Sequence, residues 1–271
     1  MLQIATVHYG SPLWIETQTR YLREHISVPY QTWASMQRIE PSYSRYFDRV
    51  IEQTGRHSDK LNHLAIEIVA EASEDDLLMF IDGDAFPIAD PMPLISDGLA
   101  RAPIVAVRRP ENLGDPQPHP SFCVTTVRAW CELGGDWSQG YRWINTEGRR
   151  VTDVGGNLLR KLELTKTPWV EVLRSNRKEL DPVFFGIYGD VVYHHGAGFR
   201  GLANVTRFHA SLAPELRPPS STPIVNRLLR RRDWQKRQAW ERNTKERLTR
   251  LSDEVIAKIQ QGDSAWLADF M

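Results

Sequence analysis

A chain of 271 residues, 41% hydrophobic and 25% charged, is large enough for one α/β domain with a sizeable core and an appendage. It holds no run of eighteen apolar residues, which excludes a transmembrane helix, and only Cys123 and Cys131, which excludes a disulfide framework or a cysteine zinc site. The formal net charge is zero, yet Arg227 to Arg250 carries ten Lys and Arg against three Asp and Glu, a local +7 that speaks of partners and not of fold.

In chain order, Leu2 to His8 reads as a strand ending at the turn Tyr9-Gly10-Ser11-Pro12. Ser11 as cap and Pro12 at the first position then predict a helix through Trp14 to about Glu24. Gln31 to Ile39 follows as a second strand. Ser58 caps a helix whose apolar face is Leu61, Leu64, Ala65, Ile68 and Val69. Leu77 to Ile81 is a five-residue apolar run and hence a buried central strand. This β-α-β-α-β order predicts a parallel, Rossmann-like sheet.

Further along, Pro91 to Leu99 reads as a helix, Ile104 to Val107 as a strand, Arg109 to Pro120 as a loop, and Phe122 to Val127 as a strand leading into a helix near Trp130. Asp136 to Arg150 lacks periodicity and reads as an acceptor or lid loop. Thr152 or Asp153 starts a helix with Leu158, Leu159 and Leu162. Trp169 to Leu173 and Val191 to His194 are predicted strands. Four prolines between Pro214 and Pro223 mark a linker, followed by a basic helix from Ile224 to Leu251 and a last one from about Ser252.

The junction Asp82-Gly83-Asp84 carries the most chemistry. Two carboxylates at i and i+2 leave the carboxyl end of a central strand, the edge where open α/β sheets bind ligands. They are hard oxygen ligands suited to Mg²⁺ or Mn²⁺ holding a diphosphate. The plainer reading of the same residues is an Asp-Gly turn.

The segment LLMFIDGDAFP, Leu77 to Pro87, resembles the DxD region of nucleotide-sugar-dependent glycosyltransferases of the GT-A fold. So do His57-Ser58-Asp59-Lys60-Leu61-Asn62-His63-Leu64 before it and Val192-Tyr193-His194-His195-Gly196-Ala197-Gly198 after it, in the family's order. The resemblance implies a GT-A-like α/β fold: a mixed, mostly parallel sheet flanked by helices over residues 1–213, a linker at 214–223 and a helical extension at 224–271. It implies a metal-dependent glycosyltransferase that moves a sugar from a nucleoside diphosphate, UDP favoured, to a hydroxyl of a glycan, a lipid-linked acceptor or a small molecule.

By the same resemblance Asp84 is the direct metal ligand, and Asp82 reaches the donor ribose or binds the metal through water. A downstream histidine completes the site. His194 and His195 point to opposite faces of a strand, and His195, before the glycines, is the favoured third ligand; a structural pair is the alternative. Gly198 allows close approach to phosphates, and Arg200 is read either as a cation for the leaving diphosphate or as a surface residue. Asp153 is read with equal weight as the acceptor base or as a helix cap. Thr6, His8 and Tyr9 hold the nucleoside, with Tyr9 stacking on the base, and Lys60 and Asn62 touch the donor.

The basic helix admits a solvated face, docking on an anionic membrane helped by Trp234 and Trp240, or, least favoured, nucleic acid. Without a cationic start and apolar stretch at its N-terminus the chain is expected in the cytoplasm, peripheral to the membrane if the helix docks there. Two rival functions stand: a non-catalytic scaffold using the arginine-rich helix, and a sugar-nucleotide pyrophosphorylase. The second is disfavoured because His8-Tyr9-Gly10-Ser11-Pro12 lacks a glycine-rich activating loop.

Overall fold

Apolar strands buried on both faces build the centre of the molecule. The computed structural model describes residues 1–177, 180–181, 184–196, 223–262 and 264–271, with the backbone alone at 223–228. One sheet contains β1 (Leu2–Tyr9), β2 (Tyr30–Gln37), β3 (Arg49–Ile51), β4 (Leu77–Asp82), β6 (Ile104–Val107), β7 (His119–Thr126) and β10 (Val170–Val172), in the order β10-β6-β7-β4-β1-β2-β3. All neighbours are parallel except β7, which runs antiparallel between β4 and β6. The sheet is mixed and mostly parallel, as expected; β7 is the departure from a purely Rossmann-like order.

Strand β4 shows why its sequence is continuously apolar. Leu78 and Phe80 join the core on one face, with Ala5, Val7 and Trp33 and the helix α2 (His57–Glu71). Met79 and Ile81 join the other, with Ile4 and with Leu22 of α1 (Ile15–His25). A strand with two buried faces has no place for alternating polar residues. Helix α2 presents Leu61, Leu64, Ala65 and Ile68, the predicted stripe; it begins one residue before Ser58, where the Arg56 N–H donates to the Asp59 carboxylate at 3.0 Å.

Helices α3 (Met92–Leu99) and α4 (Val127–Leu133) lie where expected. Helix α5 (Gly156–Thr165) starts later than Thr152 or Asp153. Its cap is Gly155 at φ +86, and a Cβ there would lie 2.4 Å from the Pro118 carbonyl oxygen, so the turn requires glycine. Asp153 instead accepts a hydrogen bond from the next residue's N–H (Val154 N, 2.8 Å). The Asp136–Arg150 stretch contains a two-residue hairpin pair, β8 (Trp143–Ile144) and β9 (Arg150–Val151).

The chain forms two compact units, Met1–Phe199 with Phe270–Met271, and Arg200–Asp269. In the second, the two predicted C-terminal helices are one, α6 (Pro223–Gln260); Ser252 continues it instead of breaking it. No helix of the described residues is long and apolar enough to cross a membrane.

Candidate metal and donor site

Asp82 is the last residue of β4, and the chain then turns into β5 (Ala85–Pro87). This short strand leaves the main sheet and pairs antiparallel with β12 (Val192–His194), itself paired with β11 (Gly186–Tyr188). The register places His194 opposite Ala85, next to Asp84. Its Nε2 lies 3.5 Å from Asp84 Oδ1 and 3.8 Å from Asp82 Oδ2. One ligand atom from each of Asp82, Asp84 and His194 falls within 4.8 Å of the others, and all three residues are buried. Two carboxylates and an imidazole at that spacing fit a divalent cation of the Mn²⁺ class.

Pairing at β5 thus brings His194, and not His195, to the carboxylates. One residue further along, the side chain points the other way. The His195 ring packs on Trp14 and Phe185, and its Nδ1 lies 2.9 Å from the Tyr193 hydroxyl. Burial first, then the charge of His194 against the opposing pull of Asp84, leaves its pKa down at about 3. Its main chain serves the site directly, because the His195 N–H donates to the Asp84 carbonyl at 2.9 Å. Gln18 of α1 holds the turn from below, donating from Nε2 to the carbonyls of Asp82 (2.8 Å) and Ala85 (2.7 Å).

Two more histidines flank Asp82. His57 Nε2 lies 2.9 Å from Oδ1 and orients the carboxylate, whereas His119 Nδ1 lies 3.9 Å from Oδ2, beyond hydrogen-bond reach, and accepts the Ser121 N–H at 3.1 Å. His119 is held well below the usual histidine range, by burial and then by Arg109, His194 and His57. Arg109 lies 3.4 Å from His119 Nε2 and leads into a second polar cluster. There Asn112 donates to Asp115 at 2.6 Å, and Asp115 and Asp153 repel each other across the loops. Burial, then Asp153, pushes Asp115 up to about 6, against the pull of Asn112, Arg109 and Trp143.

This gives a pH test of the cluster. Asp115 binds its proton more tightly folded than unfolded, so its contribution to stability is full below the ordinary carboxylate value of 3.8 and is lost as pH rises through about 6. At pH 7 the buried charge costs about 3 kcal/mol. Asp115→Asn is expected to gain several degrees of Tm relative to wild type between pH 5 and 7.5, measured by calorimetry. An equal pH slope in both proteins would refute the cluster.

The predicted nucleoside residues divide by face. Thr6 and His8 are fully buried, and both engage Gln18 Oε1 at 3.1 Å, so they support the turn from within. Burial lowers His8 to about 4. Tyr9, on the opposite face, is exposed at the sheet edge with Lys60 Nζ 4.8 Å from its ring. The Asn62 amide binds the loop at 136–138: Nδ2 donates to Asp136 (2.8 Å), and Oδ1 accepts from Trp137 N (2.8 Å). Gly198 and Arg200 lie outside the described residues. Gln18, His57, His119, Arg109 and Asp115 had no reading as site residues; only His57, three positions before Lys60, fell in a segment that sequence had singled out.

No protein-family model and no curated protein matches the chain. Solved structures do. It is similar to S. aureus TarS at 8% identity and a TM-score of 0.38, covering 51% of this chain and 30% of that one. The apo form of the glycosyltransferase GlyE of Streptococcus pneumoniae TIGR4 matches at 12% identity and 0.41, covering 63% and 44%. The galactosyltransferase LgtC, in complex with donor and acceptor sugar analogs, matches at 8% identity and 0.35, covering 59% and 70%. The chain spans less than half the length of the TarS and GlyE chains. The likeness is partial and distant, and the strand-end carboxylates with His194 belong to the chain's own geometry.

Proposed function

We propose that this protein is a metal-dependent glycosyltransferase that moves a sugar from a nucleoside diphosphate to a hydroxyl acceptor. The observation that carries the reading is the buried cluster of Asp82, Asp84 and His194 at the carboxyl edge of the sheet. Asp84, Asp82 and His194 would hold the cation, which supplies positive charge for the departing diphosphate. His57 fixes Asp82, and Gln18 fixes the turn that carries both carboxylates. Asp153, partly exposed beside the buried Asp115–Arg109 cluster, is the candidate base for the acceptor hydroxyl. Mn²⁺ is favoured over Mg²⁺ because imidazole nitrogen joins the ligand set. UDP-sugars are the first donors to test, with glycan, lipid-linked and small-molecule acceptors. The exposed Trp234 and the run of arginines on α6 support contact with an anionic membrane.

The test is release of nucleoside diphosphate from a panel of sugar nucleotides with Mn²⁺, with and without glycoside acceptors. Turnover of one donor, stopped by EDTA and restored by Mn²⁺, is expected. Folded protein that turns over none of them under any condition contradicts the reading.

A further inference from the structure

A cleft on the α1 face of the sheet takes no part in the metal and donor site. Its volume is about 350 Å³, at the small end of ligand pockets, and Arg23, Tyr30, Thr32, Arg45, Tyr46 and Asp48 line it. Tyr30 and Thr32 alternate along β2 with Gln31 and Trp33. Trp33 packs towards α2, so Tyr30 and Thr32 turn to α1, whose Leu22 and Arg23 complete the wall. Tyr30 pairs with Leu2, and Asp82 pairs with Val7, five residues further along β1. At about 3.3 Å per residue, Tyr30 stands about 17 Å along the strands from the level of Asp82. The cleft therefore lies towards the amino ends of the strands, away from the edge that carries the carboxylates.

Its polar groups are fixed, yet several bonding positions stay open. Asp48 Oδ2 accepts from Thr32 N at 2.8 Å and from Thr32 Oγ1 at 2.7 Å, and Asp48 N donates back to Oγ1 at 2.9 Å. Among the described residues Asp48 Oδ1 has no hydrogen bond, and neither has the half-buried Tyr30 hydroxyl. Arg23 donates from Nε to the Thr19 carbonyl at 3.3 Å, and Arg45 from Nη2 to the Tyr46 hydroxyl at 3.4 Å. Tyr46 donates in turn to Glu16 at 2.5 Å. Neither arginine has a carboxylate within ion-pair distance among the described residues. Burial raises the Tyr30 pKa, Arg23 pulls it down and Asp48 pushes it up, so both charges act at its hydroxyl.

The charges around the cleft balance. Arg23 and Arg45 stand with Asp48 and with Glu16, whose charge attracts Arg45, so a phosphate or carboxylate meets no excess of cations. A sugar ring matches the groups better. Its hydroxyls can donate to a carboxylate and accept from a guanidinium, and its C–H face can lie on an aromatic ring. Donors and acceptors already held in place lose little freedom on binding. We propose that this cleft binds a neutral oligosaccharide, with the Tyr30 ring against a sugar face and Arg23, Arg45 and Asp48 on its hydroxyls. It is a second glycan site, apart from the centre of transfer. Its role, holding the acceptor or product chain, rests on the glycosyltransferase reading above, whereas the binding itself needs neither metal nor donor.

The experiment is saturation-transfer NMR with neutral di- to pentasaccharides of glucose, galactose, mannose and N-acetylglucosamine, in EDTA and without nucleotide. At least one is expected to bind wild type, and an excess of inorganic phosphate should leave it bound. Arg45→Ala and Tyr30→Phe should each weaken that binding about tenfold, or about 1.4 kcal/mol. Both variants should release nucleoside diphosphate from the donor with Mn²⁺ as wild type does. Arg45 is exposed, so its variant keeps the test decisive should Tyr30→Phe fail to fold. Variants that bind the sugar as wild type does overturn the cleft as its site. So does a wild type that binds none of the panel, or one whose sugar is displaced by phosphate. In each of these cases donor turnover with Mn²⁺ judges the glycosyltransferase reading separately. Sugar held through Tyr30 and Arg45 by a protein that turns over no donor would keep the cleft and sink that reading.

Discussion

Asp84→Asn is expected to lower sugar transfer by at least about a thousandfold, because it removes a direct charge from the cluster of Asp82, Asp84 and His194. A bound cation stabilises the departing diphosphate by several kcal/mol, and about 4 kcal/mol corresponds to that factor. The amide keeps the shape of the carboxyl, and the Asp84 main chain keeps its bond from the His195 N–H. Circular dichroism should therefore be unchanged. The informative readout is the rise in Tm on adding Mn²⁺, which wild type should show and Asp84→Asn should lose. A variant that keeps both its turnover and its metal-dependent Tm places the metal elsewhere.

The second large effect separates adjacent histidines. His194→Ala should weaken Mn²⁺ binding about a hundredfold and, because that ring is also buried, lower the metal-free Tm as well. His195→Ala should lower the Tm and leave Mn²⁺ binding unchanged. Its ring fills space against Trp14 and Phe185 in the interior, and truncating a buried ring costs about 3 kcal/mol. Metal titration and thermal denaturation of both variants distinguish the roles. If His195→Ala lost the metal and His194→Ala lost only stability, the assignment from the β5–β12 register would be wrong.

That pair also shows where sequence stops. The strand Leu77–Ile81 and its two carboxylates were legible because a continuous apolar run followed by Asp-Gly-Asp is a local pattern. Alternation in Val192–His194 established that only one histidine could face the site. Choosing between them needed the pairing of His194 with Ala85, across more than a hundred residues, on a strand only three residues long. The glycines after His195 drew the choice to the ring that packs on Trp14 and Phe185, and not to the one beside the carboxylates.

Gln18, Arg109 and Asp115 were invisible for a related reason. Gln18 reaches the turn at Asp82 from 64 positions away, and no spacing within α1 marks it. Asp115 sat in a loop rich in proline and glycine, where an aspartate is ordinary; its burial in the folded chain, and then the charge of Asp153, make it unusual. The opposite error occurred in the C-terminal unit, where Ser252 was read as a helix break but lies within one uninterrupted helix. Serine is a weak breaker, and a basic sequence with little apolar periodicity offers no stripe to show that the helix continues.

The central claim concerns one position in space, so the most direct measurement locates the cation. Crystals grown with Mn²⁺ and a bound nucleoside diphosphate, with data collected at the manganese absorption edge, should give one dominant anomalous peak in contact with Asp82, Asp84 and His194, bridged to the diphosphate. A dominant peak that contacts none of these side chains, with nucleotide bound elsewhere, would contradict the account.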